Sequence, residues 1–204
     1  MYQWLLFGHL IAVTALIGAL GVNASVLLTL TRARTTAQVR ALTGLLPTVE
    51  KIFPISTVAL TGCGIGMVLL GTHDAAWSFG DAWIIAALVI TVGMSVIGPT
   101  VTGARASRLA KAAAIAPDGP ITNELARLAR DPVMHSAERL GIILIAELMY
   151  LMASKPAATA TLVSLLIAAA LVAATTYSQW RHHQHQPAPD PDPSTIQTMP
   201  PPQP

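Results

Sequence analysis

The chain reads as an all-α, polytopic transmembrane helical bundle of about five spans, and three observations lead there. Of its 204 residues 53% are hydrophobic and only 11% are charged, about half the charge of an ordinary soluble domain. The apolar residues fall in long runs, and crossing the hydrocarbon core takes about 20 of them. The charges are segregated. When five spans alternate, 11 of the 12 Lys and Arg residues fall on one side and Lys155 alone on the other. By the positive-inside rule this places the N-terminus outside and the C-terminus in the cytoplasm, as expected for a multi-pass protein of a bacterial inner (plasma) membrane.

The first span covers residues 2–31. No Lys or Arg precedes Arg32, and the run exceeds the roughly 7–15 apolar residues of a signal peptide, so it reads as a retained helix. Its length asks for tilt or projection beyond the bilayer. The second span, 52–72, follows "LPTVEK", and the third, 82–104, lies between Asp81 and Arg105. The fourth, 133–154, begins after Pro132 and reaches full length only if Glu138 and Arg139 snorkel to the interface. The fifth is 156–177. Asp74 and Asp81 belong to a short outer loop, and Trp77 and Trp83 fit an aromatic belt.

The remaining segments are polar. The basic cytoplasmic loop 105–138 carries Ala, Leu and Arg at helical spacing on both sides of the turn signal "PDGP". Thr122 or Asn123 is placed to cap its second helix. The loop reads as amphipathic helices on the inner membrane surface that extend the neighbouring spans, or as a solvated connector. The tail 181–204 is rich in Pro and Gln and has too little apolar surface to order itself. It reads as a disordered cytoplasmic segment.

Ionisable groups inside a membrane are costly and point to function. His9 and Glu147 are the two that stand out. At about 1.5 Å per residue, His9 lies about 8 Å below the interface marked by Trp4, and Glu147 about 12 Å below Lys155. Both fall in the outer half at similar depth, so they meet if the first and fourth spans are neighbours. For His9 an interhelical hydrogen bond, haem or metal ligation, and a proton relay all stay open. Glu147 reads as a carboxylic acid bonded to a neighbouring helix or as a relay group. Asn23 falls on nearly the same helical face as His9 and reads as interhelical glue. His73, Asp74, Tyr150 and Lys155 gather at the outer face, as a site or as ordinary interfacial polarity.

Several motifs exclude more than they assign. "TGCGIG" at 61–66 lies within a span, so it is no dinucleotide loop. Gly62 and Gly66 instead permit close helix approach. One cysteine, Cys63, precludes an intrachain disulfide. Cys63 and Met67 are weak evidence for a soft metal, and "HHQH" at 182–185 is a weak transition-metal tract. "NAS" at 23–25 is buried in a span and is no glycosylation site. Walker, zincin and nucleophile-elbow motifs are all missing from the sequence, and whether the chain is an enzyme stays open, with a non-enzyme favoured. Nothing points to nucleic acid. The expected partners are the lipid bilayer, another membrane protein or a second copy of the chain.

Three stretches carry a resemblance. They are "FGHLIAVTALIGALG" in the first span, "ELMYLMASKP" closing the fourth, and Gly98-Pro99 before the basic loop. Together they resemble the predicted integral membrane proteins called domain of unknown function 2269. That group is similar to copper-resistance D and to haem-binding protoporphyrinogen-oxidase-like bundles, and the likeness covers most of residues 1–178. It implies that His9 inherits the axial-ligand role of a first-span histidine toward haem b, with Lys155 or His73 as second ligand. The copper-handling relatives imply instead a copper site on His9, Met149 and Met152. Three functions therefore stand: cofactor binding through His9 near the outer face, a non-catalytic scaffold or assembly partner, and a proton-coupled small-solute carrier using Glu147 and His9. The lack of a visible inverted repeat weighs against the carrier.

Overall fold

The computed structural model describes residues 1–71 and 77–184. Eight α-helices and one π-helical segment account for nearly all of them, and among the described residues there is no β-strand. The first helix, α1 (Tyr2–Leu30), has 29 residues and is therefore about 43 Å long, more than a bilayer core requires. A short helix, α2 (Thr36–Thr43), turns the chain back into α3 (Leu46–Leu70). It begins with a capping box: the Thr35 hydroxyl accepts from the Gln38 N–H, and the Gln38 side chain accepts from the Thr35 N–H. Next comes one long rod, α4 (Ala82–Ile97), the π-segment (Gly98–Gly103) and α5 (Ala104–Ile115). The chain then forms α6 (Asn123–Ala129), α7 (Pro132–Ser154) and α8 (Ala158–Gln184).

Four helical stretches are long and apolar enough to cross a membrane: Tyr2–Leu30, Thr36–Leu70, Ala82–Ile115 and Ala158–Ser178. The helix α7 has a similar length but carries Glu138, Arg139 and Glu147. It packs on α8, α4, the π-segment and α1, so its polar groups have helices around them. The other major pairing is α1 along α3. Large apolar side chains such as Val58, Leu69 and Leu166 point outward, which suits a hydrocarbon surrounding better than water.

Element boundaries depart from the sequence reading in instructive places. The second helix starts at Leu46 rather than residue 52, because Pro47 sits in its first turn, where a missing N–H costs nothing. The third does not stop at residue 104. The π-segment absorbs Gly98-Pro99 and passes the helix on to Ile115. The fifth continues past residue 177 to Gln184, so residues 181–184 are helical rather than part of an unstructured tail. The remainder of that tail, from residue 185, lies outside the described residues.

The loop 105–138 is a packed cap rather than a solvated connector. Leu109, Ala113, Leu125 and Ala129 from α5 and α6 join Val39 of α2, Met134 of α7, and Leu27 and Leu30 of α1 in one core at the basic end. Thr122 is the N-cap of α6, its hydroxyl accepting from Leu125 N–H at 3.3 Å. Two backbone bonds, Thr36 N–H to Gly119 O and Ile121 N–H to Arg34 O, zip the two connections together. Arg105 bridges the π-segment and α7 by donating to Val101 O at 3.3 Å and to Asp131 at 3.0 Å. Asp131 in turn caps α7 through Val133 N–H.

Arg40 closes the cap. Its guanidinium donates to the carbonyls of Ala113 and Ala116 at the end of α5, at 3.3 and 3.1 Å, and to Asp118 at 2.9 Å. The Asp118 side chain is 83% exposed, and an exposed ion pair contributes about 0–1 kcal/mol. The two helix-end carbonyls otherwise lack intrahelical donors, and such bonds contribute about 0.5–1.5 kcal/mol each. Arg40→Ala should therefore lower the thermal midpoint of the purified protein clearly more than Asp118→Ala. Equal losses would show that the ion pair, not the helix-end capping, is what matters.

Candidate functional site

His9 is buried on α1 and faces α3. Its Nδ1 lies 3.1 Å from the carbonyl oxygen of Leu60. A carbonyl can only accept, so Nδ1 carries a proton and donates it to Leu60. Small residues let the helices approach here. A methyl group on Gly64 would touch the His9 ring at 3.6 Å, one on Gly66 would press Leu5 at 3.0 Å, and one on Gly8 would press Cys63 Sγ at 3.1 Å. Gly62 meets nothing across the interface, so Gly8, Gly64 and Gly66 make the close contact instead of the Gly62 and Gly66 pair. Cys63 acts as the small packing residue opposite Gly8.

The space beside His9 is a cavity of about 70 Å³ lined by Leu60, Gly64, Met67, Trp83 and Met152, among others. Sites for drug-sized ligands run roughly 300–1,000 Å³, so the residues around His9 do not fit a haem. A copper site on His9, Met149 and Met152 is not assembled either. Met152 shares the cavity with His9, but Met149 is 53% exposed and points away from the bundle interior. Among the described residues no three His, Cys, Asp or Glu side chains gather closely enough to hold a metal ion.

Lys155, Trp77, Trp83 and Tyr150, also expected at the outer face, are among the described residues. Lys155 ends α7 in a left-handed conformation with φ of 44°, and its Nζ stands 4.0 Å from the centre of the Trp77 ring. That cation–π contact engages the ammonium group. Trp77 meets Trp83 edge to face at 6.2 Å and tilts against Tyr2. Trp83 is a buried core residue of the α4–α7 contact rather than part of a belt. Tyr150 is exposed. His73 and Asp74 lie outside the described residues, as does the end of the "HHQH" tract.

His9 and Glu147 are each engaged by a different helix. Glu147 is buried toward α8, where Ser164 Oγ donates to its Oε1 at 2.7 Å. With His9 bonded to α3, the proposed pair takes two separate partners. Asn23 does act as interhelical glue, and its partner is informative: its Nδ2 donates to Glu138 Oε2 on α7. Glu138 does not snorkel. It is 8% exposed, and its other oxygen, Oε1, accepts no hydrogen bond. The Asn23 amide offers a donor only inside the bundle, at the level where α7 crosses α1.

Glu138 lines a second and far larger cavity, of about 510 Å³. Its walls come from α1 (Leu16, Leu20, Asn23), α3 (Phe53, Thr57), α4 and the π-segment (Thr91, Met94, Thr102), and α7 (Leu144). Two prolines shape it. Pro54 inside α3 has no N–H for the carbonyl of Glu50, and Pro99 opens the π-segment. The Glu50 side chain lies over that segment, within 3.5 Å of where a Gly103 side chain would begin. Glu50 is exposed and Glu138 is buried, so the cavity has one carboxylate at its rim and one inside.

Sequence reading missed this site because it sends Glu138 to the interface and starts the second span only at residue 52, which leaves Glu50 outside it. The signal it passed over was Pro54 in the apolar run after Lys51, since an interrupted membrane helix tends to border a cavity. Comparison of the chain with protein-family models, with curated proteins and with solved structures finds no match.

Proposed function

We propose that this chain is a five-span protein of a bacterial inner membrane, N-terminus outside and C-terminus cytoplasmic, that binds a small solute in the cavity between α1, α3, α4 and α7. The observation that carries the reading is the 510 Å³ volume with a buried carboxylate in its wall. That volume falls within the range of small-molecule sites, which are mostly apolar with a few placed polar groups. The fifth span in this proposal is α7, supported by its carboxylates turning toward neighbouring helices and by the basic residues concentrated around the α2–α5–α6 cap. Kinship with domain of unknown function 2269 belongs to the same proposal and rests on the residues quoted for it. This reading keeps the small-solute branch of the sequence analysis and moves its centre from His9 and Glu147 to Asn23 and Glu138.

The test uses the purified chain in lipid nanodiscs, with empty nanodiscs as the blank. The neutral cage alcohol 1-adamantanol should bind saturably, as read by equilibrium dialysis. Thr57→Trp, which puts an indole into the cavity wall, should weaken that binding at least tenfold. Binding that stays unchanged in a folded Thr57→Trp variant would place the solute elsewhere and overturn the reading.

A further inference from the structure

We propose that the solute is an organic cation, an apolar body bearing one ammonium group, with Glu138 as its counter-ion inside the cavity and Glu50 as the acidic group at its mouth. This inference rests on the cavity reading and adds the chemical class. Four observations point to it.

The first is charge. Both ionisable side chains that line the cavity, Glu50 and Glu138, are acidic, and among the described residues lining it none is Lys, Arg or His. A cavity of one sign with low-dielectric walls concentrates ligands of the opposite sign. The second is an unmet hydrogen-bonding capacity. Glu138 is more than nine-tenths buried, and Asn23 satisfies only Oε2 while Oε1 has no donor. A buried carboxylate oxygen without a donor is destabilising. An ammonium group supplies both the missing donor and the compensating charge, in a charge-assisted bond about twice as strong as a neutral one.

The third observation is the wall itself. Leu16, Leu20, Phe53, Met94, Leu144 and Leu148 make most of it apolar, so a metal ion would exchange its water for a largely hydrocarbon wall, whereas a hydrocarbon body would bury its surface. Met and Phe also suit an irregular apolar guest. The fourth is the entrance. Glu50 is exposed at the α3 end of the cavity and lies against Gly103, where the absent side chain leaves room beside its carboxylate. A cation passing Glu50 meets a second carboxylate further in.

Asn23 then has a positioning role. By bonding Oε2 it orients the carboxylate and leaves Oε1 for the ligand. The lone pair count allows this, since an ionised carboxylate accepts at about four sites.

The experiment compares three probes that share one cage and differ in the head: 1-aminoadamantane, 1-adamantanol and 1-adamantanecarboxylate. Each is dialysed against the full chain in nanodiscs of neutral lipid. The amine should bind at least tenfold more tightly than the alcohol, and the carboxylate should show no saturable binding. Glu138→Gln should bring the ratio of amine to alcohol affinity down to about twofold or less, whatever it does to the affinity for either probe alone. Should Glu138→Gln fail to fold, Glu50→Gln at the exposed rim carries the test and should reduce the advantage at least threefold.

The outcomes separate the two proposals. If neither amine nor alcohol binds saturably, the cavity reading falls and this inference with it. If the alcohol binds and the amine binds no more tightly, the cavity reading stands and the cation assignment is overturned. An undiminished advantage of the amine in folded Glu138→Gln, or in Glu50→Gln where Glu138→Gln does not fold, would also overturn it, because the attraction would then come from somewhere other than these carboxylates.

Discussion

Truncating Leu109 to alanine should destabilise the protein by about 2–5 kcal/mol, the range for deleting a fully buried leucine when the surroundings cannot collapse. Leu109 is 0% exposed and sits among Leu27, Leu30, Val39, Leu125 and Met134, contributed by α1, α2, α6 and α7. Five elements converge on that point, and each is held by its own connections, so a cavity there cannot be filled by moving one helix. Leu166, on the outer face of α8, is the matched control. It is 70% exposed, and in a bilayer its truncation exchanges one apolar contact for another. Thermal inactivation in detergent should fall steeply for Leu109→Ala and hardly at all for Leu166→Ala. Similar midpoints for both would mean that the cap at the basic end is not a stabilising core.

The second large effect concerns Asn23. Asn23→Leu removes the donor to Glu138 and leaves both oxygens of a buried carboxylate unsatisfied. A hydrogen bond to a charged group contributes about 1.5–3 kcal/mol in soluble proteins, while interhelical bonds in bilayers have measured at most about 1.7 kcal/mol. The bilayer figure governs here, since Asn23 and Glu138 sit on helices flanked by lipid-facing surfaces, so a loss of about 1.5 kcal/mol is expected. Replacing both partners by apolar residues of like shape is nearly neutral in such cases. The double variant Asn23→Leu, Glu138→Leu should therefore recover most of the lost midpoint. A double variant as unstable as the sum of the singles would show that the pair contributes no coupling.

These two sites mark where sequence reasoning reached and where it stopped. The capping of α6 by Thr122 was legible because the rule is local: a hydroxyl satisfies an N–H three residues on. The helical nature of 105–115 was legible for the same reason. That these helices pack into a core was not, because burying Leu109 requires α1, α2 and α6 to arrive together, and no local pattern encodes their arrival. The role of Asn23 as glue was legible from the cost of an amide in hydrocarbon. Its partner was not. Glu138 looked close enough to the interface to snorkel, and only the packing of α7 against α1 turns it inward.

The same distinction explains His9. The sequence by itself established that an imidazole lies in a long apolar helix and must find a hydrogen-bond partner there. The tertiary structure decided which partner: the Leu60 carbonyl, reached because Gly8 and Gly64 let α1 and α3 approach closely. It also turned Met149 outward, engaged Lys155 on Trp77, and opened the large cavity at Glu138 instead of at His9. What the sequence alone determined are properties carried by single helices, namely length, apolarity and capping, since each depends on neighbours within a few turns. What the tertiary structure decided are the partners of Asn23, Glu138, Glu147 and His9 and the volume between helices. These depend on which faces meet, and the interhelical angles and close approaches that choose those faces belong to the assembled bundle.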